Sequence, residues 1–210
     1  MLEYTEYTKF LIALLAIVNP LGAVPIFVAL TTGTPELERK RIGKIVIAAV
    51  MIILFAALLI GDGLLKFFGI TIHSFSVGGG IMILLMAISM LQAKRSHISQ
   101  TPEETREGES KESVAVVPLA MPLLAGPGAI STIILYAHKN TGATHYAIMA
   151  VDILIVGFLL WLVLKLVPWI SQHVSQTGIN IFTRIMGLIL AAIAIEFIAS
   201  GLKGLFPVLG

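Results

Sequence analysis

The sequence predicts an all-α polytopic membrane protein: six transmembrane helices arranged as two inverted three-helix repeats, with helices 1 and 4 broken at the midplane. Three observations carry this reading. Of the 210 residues, 57% are hydrophobic and 12% are charged, about half the charge of a soluble domain. The mean hydropathy of +0.97 is too high for a surface that faces water throughout. Finally, six apolar runs follow one another with short connections, and two of them carry the same proline-rich motif at mid-length.

The runs cover residues 10–30, 42–65, 75–91, 114–137, 144–167 and 179–206. Each approaches or exceeds the ~20 residues a helical span needs. Together they leave no room for a sizeable soluble domain. The first reads as a membrane helix and not as a cleaved signal. Glu3 and Glu6 stand against the single Lys9 where a signal would carry basic residues. Residues 92–113 differ from everything around them. They hold Lys94, Arg95, Glu103, Glu104, Arg106, Glu107, Glu109, Lys111 and Glu112 with no apolar period. This segment reads as a mobile cytoplasmic linker between a first repeat at 1–91 and a second, inverted repeat at 114–210.

Lys and Arg set the orientation. Arg39, Lys40, Arg41, Lys44, Lys94, Arg95, Arg106, Lys111, Lys165 and Arg184 fall on one side of the six-span scheme. Only Lys9, Lys66, Lys139 and Lys203 fall on the other. The richer side is expected in the cytoplasm, with both termini outside. Tyr4, Tyr7, Tyr136 and Tyr146 are then expected in an outer aromatic belt, and Trp169 at the inner interface.

The repeat is the most informative feature. Residues 19–25 read N-P-L-G-A-V-P and residues 121–127 read M-P-L-L-A-G-P. Pro20 matches Pro122 and Pro25 matches Pro127, at the middle of runs one and four. Runs three and six match at nearly the same offset, Ile81-Met82 with Ile185-Met186 and Ala87 with Ala191. An odd number of spans per repeat inverts the second copy, a recurring plan of secondary transporters. Each proline lacks an N–H and clashes with the carbonyl four residues back, at a cost of about 3 kcal/mol in a helix interior. Two prolines within five residues, beside Gly22 or beside Gly126 and Gly128, are expected to interrupt the helix. Simple kinks satisfied by neighbouring helices are the plainer alternative. Freed backbone groups cannot face lipid and must lie in protein or line a cavity. A half-helix N-terminus suits a carboxylate and a half-helix C-terminus suits an ammonium group. Two facing breaks would therefore hold a small zwitterionic amino acid near residues 19–25 and 121–131, with Gly22, Gly126 and Gly128 supplying backbone freedom.

Few polar side chains lie in the runs. Asn19 sits beside the first break, and Ser131 and Thr132 follow the second. Asp152 and Glu196 are the only deeply placed carboxylates and are candidate proton-coupling groups. Gly78, Gly79 and Gly80 read as a helix-packing surface. No Cys occurs, which excludes disulfides and thiolate metal sites. No metal spacing, phosphate loop or catalytic triad is found, so neither a cofactor nor an enzyme is expected. The net charge of +2 gives no footprint for a nucleic acid.

The segments V-N-P-L-G-A-V-P-I-F at 18–27, M-P-L-L-A-G-P-G-A-I-S-T at 121–132 and R-I-M-G-L-I-L-A-A-I-A at 184–194 resemble the signatures of the MarC family. The resemblance runs over essentially the whole chain. It implies a small prokaryotic membrane protein in the inner membrane, similar to the family's transporters of small neutral amino acids such as glycine and alanine. Carried over by motif, the implied binding positions are Asn19, Pro20, Gly22 and Pro25, with Met121, Pro122, Gly126, Pro127, Gly128 and Ser131. The expected partners are a small zwitterion, the lipid bilayer and a coupling proton or sodium ion, and a homo-oligomer is compatible. An exporter of other metabolites or drugs and a non-transporting scaffold stay open as alternatives. Deleting much of 92–113 separates the scaffold, which would lose its partner, from a transporter, which would keep its substrate.

Overall fold

The structure is a computed structural model that describes residues 4–31, 33–92, 124–206 and 208. The helices are Tyr4–Val18 (α1), Pro20–Leu30 (α2), Glu36–Phe67 (α3), Ile72–Leu91 (α4), Pro127–His138 (α5), Ala143–His173 (α6) and Gln176–Leu205 (α7). Five stretches are long and apolar enough to cross a membrane: Tyr4–Val28, which runs through α1 and α2, Glu36–Phe67, Ile72–Leu91, Ala143–Ile170 and Thr177–Leu205. They correspond to runs one, two, three, five and six. Of the fourth run only residues 124–137 are described, and α5 forms most of that part. The linker reading for 92–113 falls outside the described residues except for Gln92.

Local sequence explains the boundaries. The 32 residues of α3 make a rod of about 48 Å at 1.5 Å per residue, longer than the ~30 Å hydrocarbon core. The excess is polar: its first turns carry Glu36, Glu38, Arg39, Lys40 and Arg41, and Lys40 pairs with Glu36 at 2.6 Å. The other end closes through Gly69, at φ 65°. The Gly69 N–H bonds the Lys66 carbonyl at 3.1 Å and the Ile70 N–H bonds the Leu65 carbonyl at 2.9 Å. This pair of hydrogen bonds needs a left-handed residue at Gly69. Thr71 then caps α4 by accepting from the Ser74 N–H at 3.1 Å. Ser175 caps α7 in the same way through Gly178.

Glycine contacts give the helix directions. A Cβ added to Gly80 would meet Ala194 and Ile198, one on Gly187 would meet Ala87 and Met90, and one on Gly201 would meet His73 and Val77. Helices α4 and α7 therefore pack antiparallel, and theirs is the most extensive helix pair. Ser76 adds a hydroxyl bond to the Phe197 carbonyl at 2.8 Å. Helix α5 runs antiparallel to α4, with Ser131 against Gly79 and Gly128 against Ile83. It also runs antiparallel to α1, with Tyr136 against Phe10 and Gly128 against Ile17. One end of the bundle thus gathers the starts of α1, α4 and α6 with the ends of α3, α5 and α7.

The three glycines of α4 divide by what they face. Gly79 meets Ser131, Gly80 meets α7 backbone at 2.9 Å from the Ala194 carbonyl oxygen, and Gly78 has nothing within 4 Å. The packing reading therefore holds for two of the three. Gly80→Ala is expected to lower thermal stability in detergent by about 1–3 kcal/mol, the usual cost of overpacking against atoms that cannot move. Gly78→Ala should be neutral or stabilise by up to about 1 kcal/mol through helix propensity. Equal melting shifts for the two variants would contradict this assignment.

The tyrosines correct one expectation. Tyr4 is exposed, but Tyr7 and Tyr136 are buried inside the bundle and do not form a lipid-facing belt. Trp169 is exposed near the end of α6, stacked on His173 at 4.7 Å.

Candidate functional site

The first break lies between α1 and α2. Helix α1 stops at Val18, and Asn19 takes a left-handed conformation, φ 44° and ψ 65°. Among the described residues it is the only non-glycine residue with positive φ. Its own N–H still bonds the Leu15 carbonyl at 2.9 Å, and its carbonyl starts α2 by accepting from Ala23 at 3.3 Å. Its side-chain oxygen accepts from the Gly22 N–H at 3.2 Å and caps the new helix. Pro20 is the first residue of α2, a position that suits proline. Because Pro20 has no N–H, the Ala16 carbonyl loses its helical partner.

The second break precedes α5. Gly126 caps that helix, Pro127 opens it, and the first ladder bond runs from the Ile130 N–H to the Gly126 carbonyl at 3.1 Å. The N–H groups of Gly128 and Ala129 lie ahead of that bond, at the positive end of the helix. Thr132 is spent within its own helix, donating to the Gly128 carbonyl at 2.9 Å. Ser131 is buried against Gly79.

The two breaks meet. A Cβ placed on Gly128 would lie 3.5 Å from Ile17 and 3.4 Å from Ile83, with the Met86 sulfur at 3.8 Å. The last turn of α1, with its surplus carbonyl, therefore lies beside the first turn of α5, with its surplus N–H groups. Helix ends carry roughly half a charge each, negative at the C-terminus and positive at the N-terminus. Antiparallel packing brings the two opposite ends together at one depth, floored by apolar side chains. Pro20, Gly126, Gly128 and Ser131 are buried there, Asn19, Gly22 and Pro25 are half-buried, and Pro127 is exposed. Met121 and Pro122 lie outside the described residues.

Two expectations about the motif are corrected. Pro25 does not break the chain; it sits inside α2 and removes only the bond its N–H would have made to the Leu21 carbonyl. The glycines of the breaks do not supply unusual backbone angles either. Gly126 has φ −74°, and neither Gly22 nor Gly128 has positive φ. They supply space. A Cβ on Gly22 would come 2.8 Å from the Asn19 Cγ, so Gly22 makes room for the amide that caps it.

The carboxylates separate. Asp152 is 7% exposed on the interior stripe of α6 beside Met149 and Ile153, and its Oδ2 has no hydrogen-bond partner. Glu196 is exposed on α7, within the membrane-crossing stretch Thr177–Leu205. Among the described residues no group of three His, Asp or Glu side chains is placed to hold a metal.

Sequence reasoning missed a buried polar chain at the end where α1 begins. The Tyr7 hydroxyl lies 3.0 Å from Nδ1 of His145, and His145 Nε2 lies 3.0 Å from the Tyr136 carbonyl oxygen. His145 is 2% exposed. Its signal was positional: His145, Met149, Asp152 and Ile153 share one helical face of the fifth run.

Buried helix faces, five helical stretches of membrane-crossing length among the described residues and an apolar exterior define a multi-pass integral membrane protein. The chain belongs to the MarC family of integral membrane proteins, whose pattern it matches over residues 4–206. It is 40% identical over 205 residues to the UPF0056 membrane protein YhcE of Escherichia coli, covering 98% of this chain and 95% of the relative. It is 41% identical over 199 residues to the UPF0056 membrane protein YvbG of Bacillus subtilis, covering 94% of each. An archaeal relative, a UPF0056 membrane protein of Methanocaldococcus jannaschii, is 36% identical over 202 residues, covering 95% of this chain and 88% of the relative. No solved structure matches.

Proposed function

We propose that the protein is a secondary transporter of small neutral amino acids working by alternating access. The observation that carries this reading is the juxtaposition of the carbonyl end of α1 with the amide end of α5 at Ile17 and Gly128. A substrate carboxylate is held by the N–H groups of Gly128 and Ala129, and its ammonium group by the carbonyls at the end of α1. The apolar floor of Ile17, Ile83 and Met86, with buried Ala23 and Ala125 nearby in the motifs, favours glycine, alanine and serine over larger side chains. In this reading the chain makes six crossings. The three-span halves are inverted copies that move against one another. The antiparallel packing of α4 on α7, the third and sixth crossings, agrees with that symmetry. The Lys and Arg distribution supports termini outside the cytoplasm. Asp152, buried and short of a partner, exchanges a coupling proton.

Counterflow of radiolabelled glycine, alanine and serine into liposomes tests the proposal. Uptake of these three and not of phenylalanine is expected, and Gly128→Leu should abolish it by filling the space between the breaks. Absence of counterflow from protein that elutes as a single folded species would remove the amino-acid reading and favour an exporter of other metabolites.

A further inference from the structure

Three layers of side chains close the bundle between the helix breaks and the end where α1 begins. The outermost is ionic. Glu6 of α1 pairs with Lys139, which follows α5, at 2.7 Å and with Lys9 at 2.8 Å. Asp62 of α3 pairs with His138 at 2.8 Å and Lys66 at 2.6 Å. The end of α5 is thereby tied to α1 on one side and to α3 on the other. Below it lies the Tyr7, His145 and Tyr136 chain. The Tyr136 carbonyl can only accept, so His145 Nε2 carries a hydrogen. In the neutral ring Nδ1 is then the acceptor for the Tyr7 hydroxyl. The third layer is aromatic: Phe10 against Tyr136 at 5.1 Å between ring centroids, and Tyr136 against Phe197 at 6.3 Å. Lys139 also covers the Tyr136 ring at 4.1 Å, which joins the first layer to the third.

These contacts share a distribution. Each layer holds at least one contact between an element of the first half, α1 or α3, and one of the second: Glu6 with Lys139 and Asp62 with His138, Tyr7 with His145, and Phe10 with Tyr136. Phe10 is fully buried, and Tyr7, Tyr136 and His145 are nearly so. The aromatic layer seals the path to the breaks while the two layers above hold the halves together through bonds that can be exchanged for water. Tight packing without polar links would seal equally well but would not release. We propose that Glu6, Tyr7, Tyr136, Lys139 and His145 form the gate on the outer side of the substrate site, closed in this structure. The proposal rests on the transporter reading for its purpose and on geometry alone for its closure.

The chain has no cysteine, so an introduced thiol is its sole thiol. Leu14, fully buried one turn beyond Phe10 toward the break, is the reporter. Leu14→Cys should react slowly with a membrane-impermeant methanethiosulfonate applied from the side bearing Glu6. Adding Glu6→Gln and Tyr7→Phe, each of which removes a bond and keeps the side-chain shape, should speed labelling on the order of tenfold. Equal rates in the two backgrounds, with both proteins folded by gel filtration, would overturn the gate. As a second variant, Glu6→Cys with Lys139→Cys joined by a short bifunctional methanethiosulfonate should arrest glycine counterflow, and reductant should restore it. Unimpeded counterflow in the cross-linked protein would also overturn it. Faster labelling of Leu14→Cys in a protein without counterflow would instead retain the gate and remove the amino-acid substrate.

Discussion

Asn19→Ala should be destabilised and inactive, whereas Asn19→Gly should keep both stability and counterflow. The reason is the dual role of this residue. Its backbone is left-handed, a conformation that costs an ordinary residue about 1–2 kcal/mol and glycine almost nothing. Its side chain caps α2 through the Gly22 N–H, worth about 1 kcal/mol against alanine and a few tenths against glycine. The alanine variant loses both, about 2–3 kcal/mol in all, and the chain at the break is driven toward other backbone angles. The glycine variant loses little. If the amide instead touched substrate, both variants would lose transport alike, and this comparison decides between the two roles. Gly22 supplies a further check. Gly22→Ala puts a Cβ against the Asn19 amide and should be harmful alone, yet tolerated in the Asn19→Gly background where that amide is gone. A double-mutant cycle on thermal stability reads this coupling, and strict additivity would contradict the cap.

The same residues show what could be read from the sequence. Two X-Pro steps, Asn19-Pro20 and Val24-Pro25, look equivalent as helix breakers, since the residue before proline is disfavoured in the helical region. Only the first breaks the chain. Asparagine tolerates the left-handed region, and so leaves the helix there. Val24 is β-branched, for which that region is far costlier, and it stays helical while the helix gives up one bond. The motif located the break correctly but could not say which proline made it, because the choice depends on the preceding side chain. The spans themselves were legible because lipid demands long apolar runs, and a run of that length has few other structures open to it.

Side-chain direction was less legible. Hydropathy does not separate a lipid-facing residue from one that faces another helix, since both are apolar. Thus Tyr7 and Tyr136 looked like belt residues and are interior, and Asp152 and Glu196 looked alike although Asp152 is buried and Glu196 is exposed. Gly78, Gly79 and Gly80 were indistinguishable until α5 and α7 were in place. The closed end was hidden for a different reason. Tyr7 is more than a hundred residues of chain from Tyr136 and His145, and no local pattern marks a contact of that kind.

Asp152→Asn should abolish accumulation driven by a proton gradient while leaving counterflow intact. Counterflow exchanges substrate for substrate and needs no net proton movement. Gradient-driven uptake requires a group that is charged in one state and neutral in another. Asp152 is the buried carboxylate with an unpartnered oxygen, and leaving a charge uncompensated in such a setting is costly. Asparagine keeps its shape and removes the titration. The variant should therefore be at least as heat-stable as the parent, because no ionisable group is left to desolvate. Glu196→Gln is the control. Its side chain is exposed on the outside of α7, so the variant should keep gradient-driven uptake. Loss of accumulation in Glu196→Gln with retention in Asp152→Asn would move the coupling group to the outer face of α7. Loss of counterflow in a folded Asp152→Asn would place Asp152 in substrate binding, where a carboxylate 24 residues along the chain from Gly128 would have to reach the ammonium group through the bundle interior.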